Sequence, residues 1–170
     1  LRYSFNSLTT PSSALEYDMA TGEEKVLKQQ EVLGTFDKSN YTSARLWATA
    51  EDGVKIPISM VHHKDTELNA DTPILLYAYG SYGSTIDPNF STTRLSLLDR
   101  GFAYAIAHVR GGEYMGRNWY DNGKLFSKKN TFSDFISCSK FLIEKSMTSA
   151  DHLYAYGGSA GGLLMGVILN

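Results

Sequence analysis

Residues Gly157–Gly162 read Gly-Gly-Ser-Ala-Gly-Gly and contain the pattern G-x-S-x-G. The apolar stretch Leu153–Gly157 predicts a strand directly before the serine, and an apolar helix is predicted to begin at Ser159. A serine on a sharp strand-to-helix turn exposes its hydroxyl, and small neighbours allow the backbone to turn that tightly. The pattern therefore predicts that Ser159 is a nucleophile. The alternative is a glycine-rich turn that serves only close packing.

A nucleophilic serine in an acyl-transfer site requires donors for the negative charge that develops on the substrate oxygen. The backbone N–H of Ala160, at the start of the predicted helix, is the first candidate. The second is a tyrosine hydroxyl in the segment Tyr77–Gly83, which ends the predicted buried strand Pro73–Tyr79. The spacing does not choose among the three tyrosines of this segment, and the alternative is that their rings pack the edge of a sheet.

The serine hydroxyl also requires a general base and an acid that orients the base. In hydrolases with this motif both follow the serine in the chain, but the residues after Ser159 contain no Asp, Glu or His. The histidines before it are predicted to be surface or packing residues: His62, His63, His108 and His152. We therefore expect an internal part of a longer protein, whose later residues supply the acid and base, and expect these residues alone to be inactive and marginally stable.

The predicted elements that position these residues follow the order of an α/β protein. Two leading strands, Arg45–Thr49 and Val54–Val61, are followed by alternating strands and helices. The later strands are predicted at Pro73–Tyr79, Phe102–Val109 and Leu153–Gly157, and the helices at Ser91–Arg100, at Thr131–Ser146 and from Ser159. Thr131 and Asp134 have the spacing of a capping box, whereas Lys128 and Lys129 are predicted to form a solvated face.

Residues 1–40 follow a different pattern. The alternation in Ala14–Asp18 and the return segment Glu23–Leu27 predict a β-hairpin. A hairpin cannot bury a core of its own, so we expect it to belong to a larger all-β neighbour. The polar stretch Gly34–Ser43 is the predicted boundary.

Composition limits the classes of function. The chain has 170 residues, a formal net charge of −2 and 42% hydrophobic residues, which is typical of a globular protein. We expect no nucleic-acid partner and no membrane partner, because there is no basic excess and no apolar run of spanning length. The single cysteine, Cys138, cannot form an internal disulfide, which favours a cytoplasmic location. We expect no metal and no cofactor, since no cysteine pairs are present.

Five segments carry a family resemblance: Gly157–Gly166, Tyr77–Gly83, Leu95–Gly101, Arg110–Gly112 and Lys128–Phe132. Together they resemble the oligopeptidase B group of the prolyl oligopeptidase family of serine peptidases, and the resemblance covers nearly the whole chain. It implies that residues 1–40 are the last part of a β-propeller. Residues 41–170 would then be the first part of a catalytic α/β-hydrolase domain.

The resemblance also implies roles for individual residues. Ser159 is the expected nucleophile, with the Ala160 N–H and the Tyr79 hydroxyl as the oxyanion pair. Tyr82 matches the aromatic residue that the family places beside the substrate. Asp87 matches a loop that in relatives carries an Asp-x-Asp pair near a basic subsite, although it is equally typical of a turn before proline.

Two positions depart from the family pattern. Asn89 stands where the second Asp of the Asp-x-Asp pair is expected, which weakens the prediction of a cation-selective subsite. Glu113, in Arg110–Tyr114, stands where relatives commonly have glycine, so a requirement for positive φ there would force the loop onto another course. Arg110 and this loop are predicted to have a structural role.

The expected activity is hydrolysis of short peptides after Arg or Lys through an acyl-enzyme at Ser159. The carboxylates that read the basic residue in this group lie beyond Asn170. Alternatives are a prolyl, acylaminoacyl or dipeptidyl peptidase of the same family, an esterase of the same fold, or a non-catalytic propeller and hydrolase scaffold. The oligomeric state is not predicted.

Overall fold

The computed structural model describes residues Leu1–Asn170 and divides the strands between two sheets. The first is antiparallel and has three strands, β1 (Arg2–Phe5), β2 (Ser13–Tyr17) and β3 (Glu24–Gln29). The predicted hairpin is confirmed as β2 and β3, which pair from Ser13 opposite Gln29 to Tyr17 opposite Glu24. Strand β1 was not predicted, because it is short and all of its residues are exposed.

The second sheet has five strands in the order β4-β5-β7-β6-β8. Strands β4 and β5 are antiparallel to each other, β5 is antiparallel to β7, and β7, β6 and β8 run parallel. This arrangement confirms the predicted α/β order of two leading strands and a parallel part. The strands are β4 (Tyr41–Thr49), β5 (Lys55–His63), β6 (Ile74–Tyr77), β7 (Ala103–Ala107) and β8 (Leu153–Tyr156).

Four α-helices connect and follow these strands: α1 (Thr92–Leu98), α2 (Arg117–Asp121), α3 (Lys129–Glu144) and α4 (Ala160–Ile168). Gly101 follows the predicted end of α1 at Arg100; its φ is 86° and its N–H donates to the Leu98 carbonyl. Helix α2 lies between the strand and the helix predicted at Phe102–Val109 and Thr131–Ser146, where no helix was predicted. None of the helices combines the length and the apolar character that a membrane crossing requires.

The main hydrophobic core lies between the five-stranded sheet and the helices α3 and α4. Strand β7 contributes alanines to it, which leave room for the larger side chains of Phe135 and Leu142 on α3. Leu164 of α4 is buried in the same core. Ser159, the candidate nucleophile, directly precedes α4. The burial of Leu164 therefore holds the helix that begins beside Ser159 against the parallel strands.

The capping-box interpretation of Thr131 and Asp134 is wrong. Helix α3 begins before Thr131, whose hydroxyl donates to the Arg110 carbonyl at 2.7 Å. Asp134 accepts hydrogen bonds from Arg110 and not from the N-terminal N–H groups of its own helix. Both side chains bind the loop after β7, so the same residue types that cap helices serve here to hold a neighbouring segment.

Candidate active site

The Ser159 turn, defined as Gly157–Gly162, joins β8 to α4. Ser159 has φ 53° and ψ −122°, a conformation that costs a non-glycine residue about 1–3 kcal/mol. The residue is exposed, and its hydroxyl does not cap the helix that begins beside it. The turn thus presents an unengaged hydroxyl on a strained backbone.

Two glycines make this turn possible. A Cβ at Gly157 would lie 2.6 Å from the Gly161 carbonyl oxygen, and a Cβ at Gly161 would lie 2.9 Å from the Ala78 carbonyl oxygen. Any side chain at either position would collide with backbone atoms. The absence of side chains therefore lets the first turn of α4 pack against the end of β6.

The backbone N–H groups at the start of α4 differ in their partners. The N–H groups of Gly161 and Gly162 donate to the carbonyls of Gly158 and Ser159, each at 2.8 Å. The N–H of Ala160 has no acceptor within the chain. It is therefore available to an oxygen bound beside Ser159.

The tyrosine loop, defined as Tyr79–Gly83, follows β6 and faces the same turn. The Tyr79 ring comes within 3.7 Å of the Cβ position of Gly161, and its hydroxyl makes no hydrogen bond within the chain. Tyr82 has φ 59°, is 77% exposed, and has its ring centroid 6.4 Å from that of Tyr79. Tyr77 instead packs against Tyr156 in the sheet, with ring centroids 5.5 Å apart.

A cavity of about 670 Å³ lies between the tyrosine loop, residues 111–125 and the start of α4. Ala160 and Tyr82 line it, whereas Ser159 and Tyr79 do not. Ser159 directly precedes Ala160, and the Tyr79 ring lies near both Gly161 and Tyr82, so four of the five predicted site residues lie close together. Asp87 lies elsewhere, in a second cavity of about 430 Å³ that Asn89, Arg45 and residues near β1 also line. The structure therefore separates Asp87 from the cavity beside Ser159.

The arginine loop, defined as Arg110–Tyr114, follows β7. The buried Arg110 guanidinium donates to Asp134 on α3, at 2.6 Å through Nη2, and to Asp52 in the β4–β5 turn, at 2.6 Å through Nη1. These bonds raise the pKa of Arg110, chiefly through Asp134, and the bond from Arg110 lowers the pKa of Asp52. Arg110 therefore has the predicted structural role, because it ties the loop to two other elements.

The departure at Glu113 introduces no backbone strain. Positive φ angles in this region occur at Gly111 (100°) and Gly116 (93°), and Glu113 has none. Its carboxylate lies 3.5 Å from the Arg117 guanidinium on α2. The loop therefore takes its tight turns at glycines that are present in this sequence.

The predicted solvated face is correct for Lys129, which is exposed, and wrong for Lys128. Lys128 is half-buried, and its ammonium group donates to the Gly80 carbonyl and, at 2.8 Å, to the Ser81 hydroxyl. Burial lowers the pKa of Lys128. No local pattern indicated these bonds, because they join segments 47 and 48 residues apart in the sequence.

The histidines do not line the cavity beside Ser159. His108 is buried, lies 2.7 Å from the Ser59 hydroxyl through Nε2, and stacks on Tyr114. Burial, with a smaller contribution from Arg45, lowers the pKa of His108 to about 3, so the ring is neutral at pH 7. His108 is thus a packing residue, as predicted. No group of three or more His, Cys, Asp or Glu side chains is arranged to hold a metal ion.

A serine with positive φ between a parallel strand and a helix is the signature of the α/β hydrolases, and the five-stranded sheet places the chain in that class. Residues 88–170 match the model of the prolyl oligopeptidase family. This match confirms the predicted resemblance to that family.

Similarity to individual proteins extends over the whole chain. It is 53% identical to Dipeptidyl aminopeptidase BI of Pseudoxanthomonas mexicana, across 100% of this chain and 24% of that protein. The structure of oligopeptidase B from Leishmania major matches 99% of this chain with 23% of its own, at a TM-score of 0.90 and 46% identity. Oligopeptidase B from Trypanosoma brucei with covalently bound antipain matches 99% with 24%, at a TM-score of 0.90 and 48% identity. The chain therefore spans about a quarter of the length of these relatives.

Proposed function

We propose that this chain is part of a serine peptidase that hydrolyses short peptides through an acyl-enzyme at Ser159. The observation that carries the proposal is the strained, unengaged Ser159 beside the free Ala160 N–H. The Ser159 oxygen attacks the scissile carbonyl carbon while a histidine takes the hydroxyl proton. The same histidine then protonates the leaving amine, and water releases the acyl group from Ser159.

The negative charge of the tetrahedral intermediate requires donors that are in place before the reaction. The Ala160 N–H and the Tyr79 hydroxyl are both free within the chain and lie on the two segments that meet at Gly161. We assign them as the oxyanion pair. Because both belong to packed segments, they need little reorganisation when the charge develops.

The remaining parts of the enzyme are proposed from the family. Residues 1–40 belong to the last part of a β-propeller, and residues 41–170 begin the catalytic domain. The acid and the histidine of the triad are proposed to follow Ser159 in the full-length protein, in the chain order of α/β hydrolases. A cytoplasmic location is proposed because the only cysteine, Cys138, is buried and free.

The proposed substrates are short peptides cleaved after Arg or Lys. Support comes from the similarity to oligopeptidase B structures, one of which carries covalently bound antipain. Tyr82, largely exposed at the cavity, is proposed to contact the peptide beside the scissile bond. Asp87 is proposed to act at a more distant basic subsite, in keeping with its place in a separate cavity.

A second activity is favoured by one observation. The chain is 53% identical to a protein named Dipeptidyl aminopeptidase BI. An enzyme of that type removes dipeptides and requires a free amino terminus on its substrate. The two candidate activities therefore differ in whether a blocking group on the substrate is tolerated.

The test uses the full-length protein and a panel of chromogenic amides that end in Arg, Pro or Ala, each with a blocked and a free amino terminus. Fastest cleavage of a blocked arginyl amide supports the first activity. Cleavage of only the free dipeptidyl amides supports the second, and a preference for Pro indicates a prolyl peptidase. Hydrolysis of esters alone, or activity that persists in Ser159→Ala, contradicts the proposed peptidase.

A further inference from the structure

We infer that Lys128 is a positioning residue that holds the tyrosine loop in the conformation that presents the Tyr79 hydroxyl; this inference rests on the proposed function. Lys128 lies at the start of α3. Its ammonium group donates to the Gly80 carbonyl and to the Ser81 hydroxyl, and these two residues directly follow Tyr79. The bonds thus act on the segment whose backbone determines where the Tyr79 ring points.

The two ends of the tyrosine loop also have contacts that do not involve Lys128. A Cβ at Gly80 would lie 2.8 Å from Val109 Cγ2, so the backbone there is packed closely against the chain after β7. At the other end, the Gly83 N–H donates to the Gly111 carbonyl at 3.0 Å. The first end therefore packs against the residue that precedes the arginine loop, and the second end is hydrogen-bonded to the arginine loop itself.

The middle of the loop has less support. Tyr82 is 77% exposed and has a positive φ, which is unfavourable for a residue with a side chain. The Ser81 side chain makes one side-chain hydrogen bond, the one from Lys128. A loop with a strained and exposed central residue relaxes unless the surrounding structure restrains it, and Lys128 supplies that restraint.

The chemical nature of Lys128 suits this role. Its ammonium group forms no ion pair in the chain and directs its charge to neutral oxygens, and hydrogen bonds from a charged donor are stronger than neutral ones. The stem is half-buried, and the ammonium nitrogen lies 5.8 Å from the centroid of the Phe132 ring. The side chain also lines the cavity that Ala160 lines. A displacement of the loop by about 1 Å costs an enzyme on the order of 10²-fold in rate.

The test compares Lys128→Met with Lys129→Met in the full-length protein, because Lys129 is the exposed neighbour on the same helix. Removal of the Lys128 bonds is expected to lower kcat roughly 10–100-fold and to change KM by less than about threefold, since the oxyanion donors act in the transition state. Lys128→Arg, which keeps a charged donor, is expected to recover part of kcat. Lys129→Met is expected to behave as wild type.

The decisive readout is a double-mutant cycle with Tyr79→Phe. If Lys128 acts through the Tyr79 hydroxyl, Lys128→Met is expected to cost less than about threefold in a Tyr79→Phe background. An equal loss in both backgrounds, or an unchanged kcat in Lys128→Met, would overturn the inference while leaving the peptidase proposal intact. A fully active Tyr79→Phe enzyme would instead contradict the proposed oxyanion pair, and with it the role of Lys128.

Ser81→Ala keeps the test available if Lys128→Met does not fold. This substitution removes one of the two acceptors and leaves α3 unchanged. It is expected to lower kcat roughly three- to tenfold at an unchanged melting temperature, because only the restraint on the loop is lost. A Ser81→Ala enzyme with wild-type kcat would overturn the inference.

Discussion

The Ser159 turn and the loops opposite it are held in place by different means. The turn depends on backbone packing: Gly157 and Gly161 have no room for a side chain, and the Ser159 hydroxyl does not cap the helix. The arginine and tyrosine loops depend on side chains at or near the start of α3. Thr131 and Asp134 bind Arg110, and Lys128 binds Ser81. The Ser159 hydroxyl is thus left free. The side-chain hydrogen bonds lie in the scaffold, defined as the arginine loop, the tyrosine loop and the α3 side chains that bind them.

This difference has a consequence for mutational effects. The hydrogen bonds of Arg110 join its buried guanidinium to the carboxylates of Asp134 and Asp52, so the loss of one partner leaves another charge unpaired. The turn, by contrast, stores strain in one residue, so that a change at Ser159 can relieve strain even as it removes the proposed chemistry. Substitution of Arg110 is therefore expected to lower stability. Substitution of Ser159 is expected to remove activity without lowering stability.

The largest effect on stability is expected for Arg110→Met. It leaves the buried Asp134 carboxylate without its guanidinium partner, and breaking a buried ion pair costs about 3–5 kcal/mol. Chemical denaturation of the full-length protein measures it. Arg117→Met is the matched control, because its pairs with Glu113 and Asp121 are exposed and worth about 0–1 kcal/mol. Equal losses in the two variants would refute the scaffold role of Arg110.

Tyr79→Phe tests the tyrosine loop where it packs against the Ser159 turn. Removal of one oxyanion donor is expected to lower kcat by roughly 10²–10³, with a much smaller change in KM. Ring packing is kept, so the melting temperature should not change. Tyr77→Phe is the control, since Tyr77 packs against Tyr156 in the sheet. A kcat for Tyr79→Phe within a few-fold of wild type would show that Tyr79 only packs.

The folded protein should also lose stability as the pH falls, because of His108. Its pKa is about 3 in the fold, against an ordinary value of 6.5. The unfolded chain therefore binds a proton that the folded chain does not, and the free energy of unfolding should fall by about 1.4 kcal/mol per pH unit between these two values. His108→Gln should lose that slope in denaturation curves recorded across this range. An unchanged slope would mean that His108 titrates normally in the fold.

The smallest effect is expected at the turn itself. Ser159→Gly removes the Cβ that makes the positive φ unfavourable, and it should raise the free energy of unfolding by about 1 kcal/mol. Ser159→Ala keeps the Cβ and hence the strain, so its stability should stay within about 0.5 kcal/mol of wild type. Thermal or chemical unfolding of the two variants measures this. Identical stabilities would show that the turn stores no strain.

The same contrast explains what could be predicted from the sequence. The five strands of the second sheet and the Ser159 turn were predictable, because each is encoded by a contiguous pattern of apolar residues and glycines. The Arg110–Asp134 and Lys128–Gly80 bonds were not, because their partners lie 24 and 48 residues apart. The Thr131 and Asp134 pattern was misread since a capping box and a bond to another loop use the same residue types.

The roles of Ser159, Ala160, Tyr79, Tyr82 and Asp87 stay predictions. The structure does bring the first four to one place and set Asp87 apart. The position of Asp87 was not predictable, since a loop residue before a proline has no regular element to fix its direction.

Reaction of the full-length protein with a fluorophosphonate probe tests the central claim most directly. The probe forms a covalent bond with an activated serine oxygen, so intact-mass and peptide analysis should find one adduct per chain, at Ser159. Ser159→Ala should carry no adduct, and Tyr79→Phe should react more slowly while keeping the same site. Undiminished labelling of Ser159→Ala, or a wild-type protein that does not react, would contradict the assignment of Ser159 as the nucleophile.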